Sequence, residues 1–243
     1  MSKIEWTEQT WNPVTGCTKV SPGCKHCYAE TMSRRLQAMG APGYENGFKL
    51  SLLPERLSQP YRRQKPTMYF VNSMSDLFQD EVPIAFIDRV MDVIHQTPHH
   101  TYQILTKRSG NMREYFSSRP VPDNAWLGVS VEDRKYGKPR IPDLVAIKAR
   151  TRFLSIEPLL EDVGQLHLKG IHWVIVGGES GSGARLMKEA WARSIRNQCL
   201  AANVDFFFKQ WGAWGADGKQ RNKKANGRLL DGKVWDMIPS VVV

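Results

Sequence analysis

The chain has 243 residues, and its 34 lysines and arginines against 24 aspartates and glutamates give it a net charge of +10. A chain of this length with 41% hydrophobic residues can bury a substantial core, which excludes disorder as its main state. No apolar run approaches the roughly 18 residues of a membrane span, and the first residues carry no apolar signal core. We therefore expect a cytoplasmic protein with no membrane partner, and the positive charge favours a polyanionic one.

The hydrophobic pattern predicts an opening strand over 11–16, a cysteine-containing loop and a helix over 29–39. From residue 69 onward, short apolar runs alternate with stretches of helical periodicity. The predicted strands are 69–73, 102–106, 126–131, 152–156, 173–177 and 205–209, and the predicted helices between them are 84–95, 110–116, 142–149 and 188–202. Because the strands are almost wholly apolar, this order predicts an α/β fold with a parallel sheet covered by helices, either a barrel or an open doubly wound sheet.

Almost every predicted strand ends in a polar cluster. These clusters occupy 72–76, 106–108, 130–133, 155–158, 177–180 and 209–212. The carboxyl ends of parallel strands carry the ligand site in α/β folds, so six such ends in succession favour one shared site. The alternative is that the Ser and Asp residues there only cap the helices that follow.

The composition changes after residue 210 to a segment rich in Gly, Lys and Trp. We predict one (βα) domain over 1–210 and a small appendage over 211–243. Within the appendage, Asp231-Gly232 between two short apolar runs predicts a β-hairpin turn.

The strongest chemical signal is the C-x6-C-x2-C spacing of Cys17, Cys24 and Cys27. Three close thiols in a chain of this size are more typical of a metal or cluster site than of a disulfide framework. A closed zinc site needs a fourth ligand, such as a distant His or Cys199, whereas three cysteines leave one iron of a four-iron cluster open for a ligand. The spacing alone leaves zinc and cluster both open.

A glycine-rich turn follows the predicted strand 173–177 and contains Gly177, Gly178, Glu179 and, further on, Arg185. Such a turn brings backbone N–H groups close to a ligand, and an arginine beside it suits a carboxylate or phosphate. We expect a cofactor or substrate contact here, against the alternative of a flexible loop without a ligand.

Three charged residues stand at other strand ends and are candidate catalytic groups. Lys107, Glu157 and Lys209 are positioned for substrate polarisation or proton transfer, although each also fits a solvated charge at the rim of the sheet.

Together, these features resemble the radical S-adenosylmethionine (radical SAM) superfamily: a three-cysteine loop after the first strand, the aromatic His26 just before the last cysteine, and a following (βα) array. The usual spacing there is C-x3-C-x2-C, and this loop is three residues longer. The sequence is also similar to phage-encoded and bacterial radical-SAM-like proteins through its NPVTGC, CKHCYAE, FVNSMSDLF, SIEPLL, VGGESG and KQWG segments. The resemblance implies a parallel (βα) partial barrel of the radical SAM type.

The resemblance also implies the cofactors and their ligands. Cys17, Cys24 and Cys27 would ligate a [4Fe-4S] cluster whose fourth iron binds S-adenosyl-L-methionine, and a separate electron donor would reduce it. The remaining implied contacts fall on two strand ends. Ser73, Ser75 and Asp76 match the region that binds the methionine amino group, without the usual Gly-Gly-Glu, and Ser130 and Glu132 match the region that holds the ribose hydroxyls.

Basic residues concentrate at 34–35, 62–65, 107–108, 134–140 and 219–228, the last beside Trp211 and Trp214. Cations interleaved with aromatic rings suit phosphate contacts combined with base stacking, so we expect a nucleic-acid partner, with DNA favoured, or a nucleotide. The leading hypothesis is a radical SAM enzyme that modifies a nucleic-acid base. Its most specific form is an isomerase of a hypermodified thymine side chain in bacteriophage DNA, acting in the host cytoplasm. The second hypothesis is a zinc-stabilised nucleic-acid-binding protein without catalysis.

Overall fold

The computed structural model describes residues 4–240. Residues 1–3 and 241–243, which include the outer limits of the two predicted units, lie outside the described residues. The strands are β1 (Gln9–Trp11), β2 (Val14–Thr15), β3 (Ser51–Leu52), β4 (Met68–Val71), β5 (Thr101–Thr106), β6 (Ala125–Ser130), β7 (Thr151–Ile156), β8 (Trp173–Gly177) and β9 (Asp205–Gln210). The helices are α1 (Tyr28–Ala38), α2 (Ile84–Gln96), α3 (Ser109–Ser117), α4 (Arg140–Ala146), α5 (Glu189–Ala201) and α6 (Lys223–Asn226), with short 3-10 turns at Pro22–Cys24, Pro54–Ser58 and Pro60–Arg62.

Seven strands form one parallel sheet in the order β1-β4-β5-β6-β7-β8-β9, and β2 and β3 pair separately as a short antiparallel ribbon. The order follows the chain without a reversal, which excludes the doubly wound alternative, since that fold has a switch point. The sheet curls into a half-barrel. This confirms the predicted α/β partial barrel with parallel strands.

The helices cover the outer, convex face of the sheet. On β6, for example, Leu127 and Val129 point outward into the main core, because side chains alternate between the two faces of a strand. Helix α2 buries Phe86, Val90 and Ile94 there at helical spacing. No helix within residues 4–240 is both long and apolar enough to cross a membrane.

The inner, concave face carries a second core made largely of aromatic side chains. Its members are Trp6, Trp126, Phe153, Trp173, Ile175 and Phe207, with Met68, Phe70 and Leu105 packed against them. We call this set the aromatic floor. Trp173 contacts Trp126 edge-on at 6.0 Å and Phe207 at 6.0 Å between ring centroids. It fills the barrel toward the amino ends of the strands.

The two ends of the described chain meet along the open side of the half-barrel. Lys223 Nζ lies 3.9 Å from Glu5 Oε1, and Trp173 Nε1 donates to the Met237 carbonyl at 2.8 Å. The segment around Asp236 pairs antiparallel with Phe207, which covers the edge of β9. The segment 211–240 therefore packs along the sheet edge and reaches the concave face.

Element positions agree closely with the sequence pattern where strands are buried on both sides. The predicted strand 173–177 coincides with β8. The predicted opening strand 11–16 is wrong as a single element, since the chain turns at Asn12-Pro13 between β1 and β2. Asp231 and Gly232 have φ of 54° and 72°, and Leu230 pairs with Lys233 across them, which confirms the predicted hairpin turn.

Candidate functional site

The loop of residues 17–27 begins beside the end of β5. Cys17 Sγ lies 3.6 Å from Arg108 Nη1. The other terminal nitrogen of Arg108 donates to Thr18 Oγ1 at 2.6 Å and to the Thr18 carbonyl at 3.1 Å. A single arginine therefore attaches the start of the cysteine loop to the carboxyl end of the sheet.

The same loop then crosses the end of the half-barrel that is formed by the carboxyl ends of the strands, which we call the mouth. Ser21 Oγ donates to the Glu132 carboxylate just after β6. The ring of His26 packs so closely on Gly183, in the turn after β8, that a Cβ at Gly183 would lie 2.9 Å from it. The three thiols accordingly belong to a loop that spans from the end of β5 to the turn after β8.

The three cysteines of this loop are free thiols of intermediate burial. Burial, with the Asp76 carboxylate nearby, raises the pKa of the Cys17 thiol to about 11, and Arg108 opposes part of this rise. Cys17 is therefore protonated at neutral pH in the absence of a metal. Metal binding at this position requires the loss of that proton, because the thiolate is the ligand.

The donor set of the loop decides which metal group it suits. Within residues 4–240, no three His, Cys, Asp or Glu side chains converge closely enough to hold a metal ion. Cys199 is buried in the main core on α5, where burial raises the pKa of its thiol to about 12. A closed zinc site would need a fourth ligand, whereas three thiols suffice for a four-iron cluster that keeps one iron open.

Asp76 is a buried anchor at the end of β4. Its carboxylate accepts hydrogen bonds from Thr106 Oγ1 at 2.7 Å and from the backbone N–H of Lys107 at 3.0 Å. It also pairs with Arg108 Nη1 at 3.1 Å. Through Arg108, Asp76 fixes the start of the cysteine loop. Its predicted contact with the methionine amino group stays a prediction.

Ser73 and Ser75 lie in the same turn as Asp76. Ser73 Oγ donates to Asn12 Oδ1 at 3.1 Å, and Ser75 Oγ donates to the Gly16 carbonyl. Both hydroxyls thus hold the segment that leads into the cysteine loop. Asn12, which the sequence reasoning did not select, organises this turn, since its Oδ1 also accepts from the Met74 N–H at 3.0 Å.

Glu132 and its partners form the most deeply buried charged cluster at the mouth. Glu132 Oε2 pairs with Arg140 Nη1 at 2.6 Å. Burial acts to raise the pKa of Glu132, but the positive charges of Lys107 and Arg140 outweigh it and hold the pKa below its ordinary value. Lys107 Nζ also donates to Ser130 Oγ at 3.0 Å. The predicted residues Lys107, Ser130 and Glu132 are therefore brought together around one unpredicted partner, Arg140.

Glu157 and Lys209 form a second charged pair, at the ends of β7 and β9. Lys209 Nζ lies 3.3 Å from Glu157 Oε1. Gly177 lies between them on β8, and a Cβ there would come within 2.2 Å of Glu157 Oε1. Only a glycine at this position leaves room for the Glu157 carboxylate to cross β8 toward Lys209.

Gly178 lets two backbones approach each other closely. A Cβ at Gly178 would lie 2.0 Å from the Trp211 carbonyl oxygen. The Gly178 N–H donates to the Gln210 carbonyl at 3.0 Å. The packing reason for this glycine is thus clear, while the predicted cofactor contacts of Gly177 and Gly178 stay predictions.

Glu179 and Arg185 are paired within the turn that follows β8. Arg185 Nε donates to Glu179 Oε2 at 2.8 Å, and the Arg185 backbone N–H donates to the same oxygen at 2.9 Å. Burial acts to raise the pKa of Glu179, but the bonds from Arg185 prevail and lower it. His26 of the cysteine loop adds to this lowering, so the turn and the loop share one electrostatic environment.

The predicted catalytic residues share the concave face. Side chains alternate along a strand, so Lys107 follows Leu105 of the aromatic floor on the same side, and Lys209 follows Phe207. Glu157 extends the row of Phe153 in the same way. The ammonium groups of Lys107 and Lys209, the carboxylate of Glu157 and the hydroxyl group of Ser130 therefore line the barrel above the apolar aromatic floor. Such a site can bind a polar substrate and move protons while excluding bulk water.

Several cations that the sequence suggested for phosphate contacts are not available for them. Arg108 and Arg140 are buried and paired with Asp76 and Glu132. Trp211 is also buried, and its indole N–H donates to the Leu229 carbonyl at 2.8 Å. These expectations are corrected because buried carboxylates hold the two arginines inward: Asp76, after β4, pairs with Arg108 at the end of β5, and Glu132, after β6, pairs with Arg140 at the start of α4. The sequence signal for Arg108 was its place within the polar cluster 106–108, whereas Arg140 was marked only as part of the basic run 134–140.

A cavity of about 1650 Å³ opens at the opposite end of the barrel. It is lined by residues that begin the strands, including Thr67, Thr101, Trp126 and Thr151. None of the predicted site residues lines this cavity. We place the candidate site at the mouth, because that is where the thiols and the charged pairs lie.

Solved structures of spore photoproduct lyase are similar to this chain in fold. A complex with dinucleoside spore photoproduct is 11% identical, with a TM-score of 0.47, and the match covers 76% of this chain and 58% of that one. A double mutant with bound AdoMet and dinucleoside spore photoproduct is 11% identical, with a TM-score of 0.47 and coverage of 78% and 60%. A cysteine-to-serine mutant is 11% identical in sequence, with a TM-score of 0.48, and the match covers 78% of this chain and 60% of that one. The chain thus spans about three fifths of the lyase chains it matches.

The sequence comparisons give a family without an activity. No curated protein matches the chain. A family model described as "Protein of unknown function (DUF5131)" matches residues 1–239. Because this match covers nearly the whole sequence, the chain belongs to that family.

Proposed function

We propose that the protein is a radical SAM enzyme that acts on a base of a nucleic acid. The observation that carries the proposal is the position of the three thiols. Cys17, Cys24 and Cys27 lie on one loop that crosses the mouth of a parallel half-barrel, directly beside the charged ends of β5, β6 and β8. The resemblance of the sequence to the superfamily supports the same assignment.

Cys17, Cys24 and Cys27 would hold a [4Fe-4S] cluster, and S-adenosyl-L-methionine would bind beside it among the polar groups of the strand ends. When bound and reduced by an electron donor, the pair would supply one-electron cleavage of the sulfonium, which is the chemistry of a reactive organic radical. We assign cofactor contacts to the turns after β4, β6 and β8. The residues concerned are Ser73, Ser75, Asp76, Ser130, Glu132, Gly177, Gly178, Glu179 and Arg185.

The chain's own residues prepare the site for such a reactive species. The aromatic floor fills the barrel below the mouth with apolar side chains, which limits the solvent around a substrate bound above it. Lys209 Nζ holds a proton 3.3 Å from Glu157 Oε1, so this pair can pass a proton to or from a substrate group. Lys107 Nζ, fixed by Ser130 Oγ at 3.0 Å, presents a positive charge to a developing anion.

The finer proposal concerns the substrate. The net charge of +10 favours a polyanion, and a base can reach the half-barrel only if it is single-stranded or flipped out of a duplex. We propose DNA rather than RNA, and the isomerisation of a hypermodified thymine side chain as the reaction. A bacteriophage origin and action in the host cytoplasm belong to the same proposal.

Anaerobic reconstitution with iron and sulfide tests the cofactor assignment. The expected product is a brown protein with about four irons per chain that cleaves S-adenosyl-L-methionine in the presence of dithionite. Cys17→Ala, Cys24→Ala and Cys27→Ala should each abolish cleavage, while Cys199→Ala, the matched control, should retain it. Stoichiometric zinc in protein purified without added metal, together with no cluster after reconstitution, would contradict the proposal and favour the zinc-stabilised alternative.

The substrate proposal has a separate test. Reconstituted enzyme is incubated with S-adenosyl-L-methionine, dithionite and single-stranded DNA that carries modified thymines, and the nucleosides are analysed by mass spectrometry and chromatography. Isomerisation predicts an unchanged mass with an altered retention time. Cofactor cleavage with no altered nucleoside would retain the radical chemistry and contradict this substrate.

A further inference from the structure

Arg228, in the segment that follows β9, is partly buried and has two guanidinium nitrogens without a partner among the described residues. Its Nε and Nη2 atoms are inaccessible to solvent and have no hydrogen-bond partner within residues 4–240. The buried guanidinium groups of Arg108 and Arg140 differ, since each faces a carboxylate at 3.1 Å and 2.6 Å. Burying the N–H groups of a guanidinium without an acceptor is costly, so these two nitrogens call for an acceptor from outside the chain, and an oxyanion suits a cation best.

The guanidinium lies at the concave face. Its central carbon is 5.0 Å from the centroid of the Phe207 ring, and that ring belongs to the aromatic floor. A cation stacked on an aromatic face keeps its in-plane N–H groups free to donate to a planar or tetrahedral oxyanion. Arg228 therefore reaches the interior of the barrel from the sheet edge.

The backbone on both sides of Arg228 is fixed. The N–H of Trp211 donates to the Gly227 carbonyl at 3.4 Å, and the Trp211 indole N–H donates to the Leu229 carbonyl at 2.8 Å. Leu230, next in sequence, is fully buried. Arg228 is thus presented by a rigid segment, as expected for a preorganised binding group.

The concave face beside Arg228 carries a lysine that is already paired, since Lys209 Nζ lies 3.3 Å from Glu157 Oε1. The ring beneath Arg228 belongs to Phe207, two residues before Lys209 on the same face of β9. The strand register places four residues in one row across the sheet. Phe207 of β9 pairs with Ile175 of β8, Ile175 pairs with Ser155 of β7, and Ser155 pairs with Ser130 of β6. Arg228 therefore lies over the same row of the sheet as Ser130, which Lys107 contacts.

We propose that Arg228 is the receptor for an oxyanion of a bound ligand, and that this oxyanion is the phosphate group of a nucleotide unit of the substrate. This inference rests on the proposed function for the identity of the nucleotide, but the oxyanion site itself follows from the residues alone. The carboxylate of S-adenosyl-L-methionine has the same chemistry, so the experiment must separate the two sources.

The test measures ligand binding by the full chain with isothermal titration calorimetry, before and after cluster reconstitution. The ligands are thymidine 5′-monophosphate, thymidine, inorganic phosphate and S-adenosyl-L-methionine. We expect Arg228→Met to weaken thymidine 5′-monophosphate at least about tenfold, because hydrogen bonds to a charged group are lost, and to leave thymidine unchanged. The matched control is Lys224→Met, which removes an exposed cation of the same segment and should leave every affinity unchanged.

A second measurement separates binding from packing. Since Arg228→Met removes two buried nitrogens that have no acceptor in the described part of the chain, the variant without ligand should melt at the same temperature as the wild type or higher. A selective loss of S-adenosyl-L-methionine affinity supports the receptor and assigns it to the cofactor carboxylate. Three results would each overturn the inference. The variant and the wild type bind every ligand with equal affinity, the wild type binds none of them, or the variant melts at a lower temperature with unchanged affinities.

Failure of the proposed function gives a different result. A protein that forms no cluster but binds thymidine 5′-monophosphate through Arg228 retains this inference while the radical SAM assignment falls. If the Arg228→Met variant cleaves S-adenosyl-L-methionine normally and binds the nucleotide with the affinity of the wild type, the proposed function is retained and the inference is overturned.

Discussion

The two ends of the concave face are built from opposite kinds of side chain on the same strands. Toward the amino ends the face is aromatic, with Trp126, Phe153 and Trp173 in mutual contact. Toward the carboxyl ends the row continues as Ser130 and Glu157, where charged groups meet in pairs. The change takes place within two to four residues of each strand. The amino-end half thus stabilises the barrel by apolar burial. The carboxyl-end half holds charges whose desolvation cost is offset because each has a partner.

The largest effect is expected in the aromatic floor. Trp173→Ala should lower the free energy of unfolding by about 3–5 kcal/mol, because it removes a fully buried indole and the bond from its N–H to the Met237 carbonyl. Urea denaturation followed by circular dichroism measures the change. Met39→Ala, which truncates an exposed side chain, is the control and should cost less than about 0.5 kcal/mol. A loss below about 1 kcal/mol for Trp173→Ala would mean that the floor contributes little to stability.

The second largest effect is expected from the buried ion pair of Glu132 and Arg140 at the mouth. Arg140→Met should lower the free energy of unfolding by about 3 kcal/mol, since it removes the cation that is paired directly with the buried Glu132 carboxylate. The double variant Glu132→Gln with Arg140→Met should recover most of this loss, because the isolated charge is gone. The same denaturation experiment measures both. If the double variant is as unstable as the single one, the cost comes from lost packing and not from the unpaired charge.

A smaller effect concerns pH. The folded protein holds the pKa of Glu132 below its ordinary value, so this carboxylate stabilises the protein at pH values above its unfolded pKa. That contribution is lost as the pH falls through the lower, folded pKa. The wild type should therefore lose more stability than Glu132→Gln on acidification from neutral pH, as measured by the melting temperature at a series of pH values. Parallel curves for the two proteins would show that Glu132 is not the titrating group.

The fold was predictable because the sheet is covered on both faces. Strands such as β8 read as continuous apolar runs, so their limits are visible in the sequence. The break between β1 and β2 had a signal in the turn-forming dipeptide Asn12-Pro13, but the prediction followed Trp11 and Val14, which are both buried, across the turn. The curl of the sheet and its order depend on contacts between strands that no local pattern encodes.

The candidate site was predictable in part for a related reason. Lys107 directly follows β5, Lys209 follows the apolar run of β9, and both keep the phase of the concave face. Arg140 and Arg228 gave no such signal. Arg140 reaches Glu132 from a helix eight residues further on, and Arg228 reaches Phe207 from a turn twenty-one residues further on. Only the folded path of the chain brings these two arginines to the site.

The smallest effect tests how the open side of the half-barrel is closed. Glu5 and Lys223 join the two ends of the described chain, but their atoms are 3.9 Å apart and both side chains are partly exposed. Lys223→Ala should therefore lower the free energy of unfolding by only about 0–1 kcal/mol, because solvent screens such a pair. A double-mutant cycle with Glu5→Ala isolates their interaction, and it should weaken further in high salt. A coupling well above 1 kcal/mol would mean that the ion pair holds this side of the barrel. A negligible coupling assigns the closure to Trp173 and its bond to the Met237 carbonyl, so that the aromatic floor seals the edge as well as the interior.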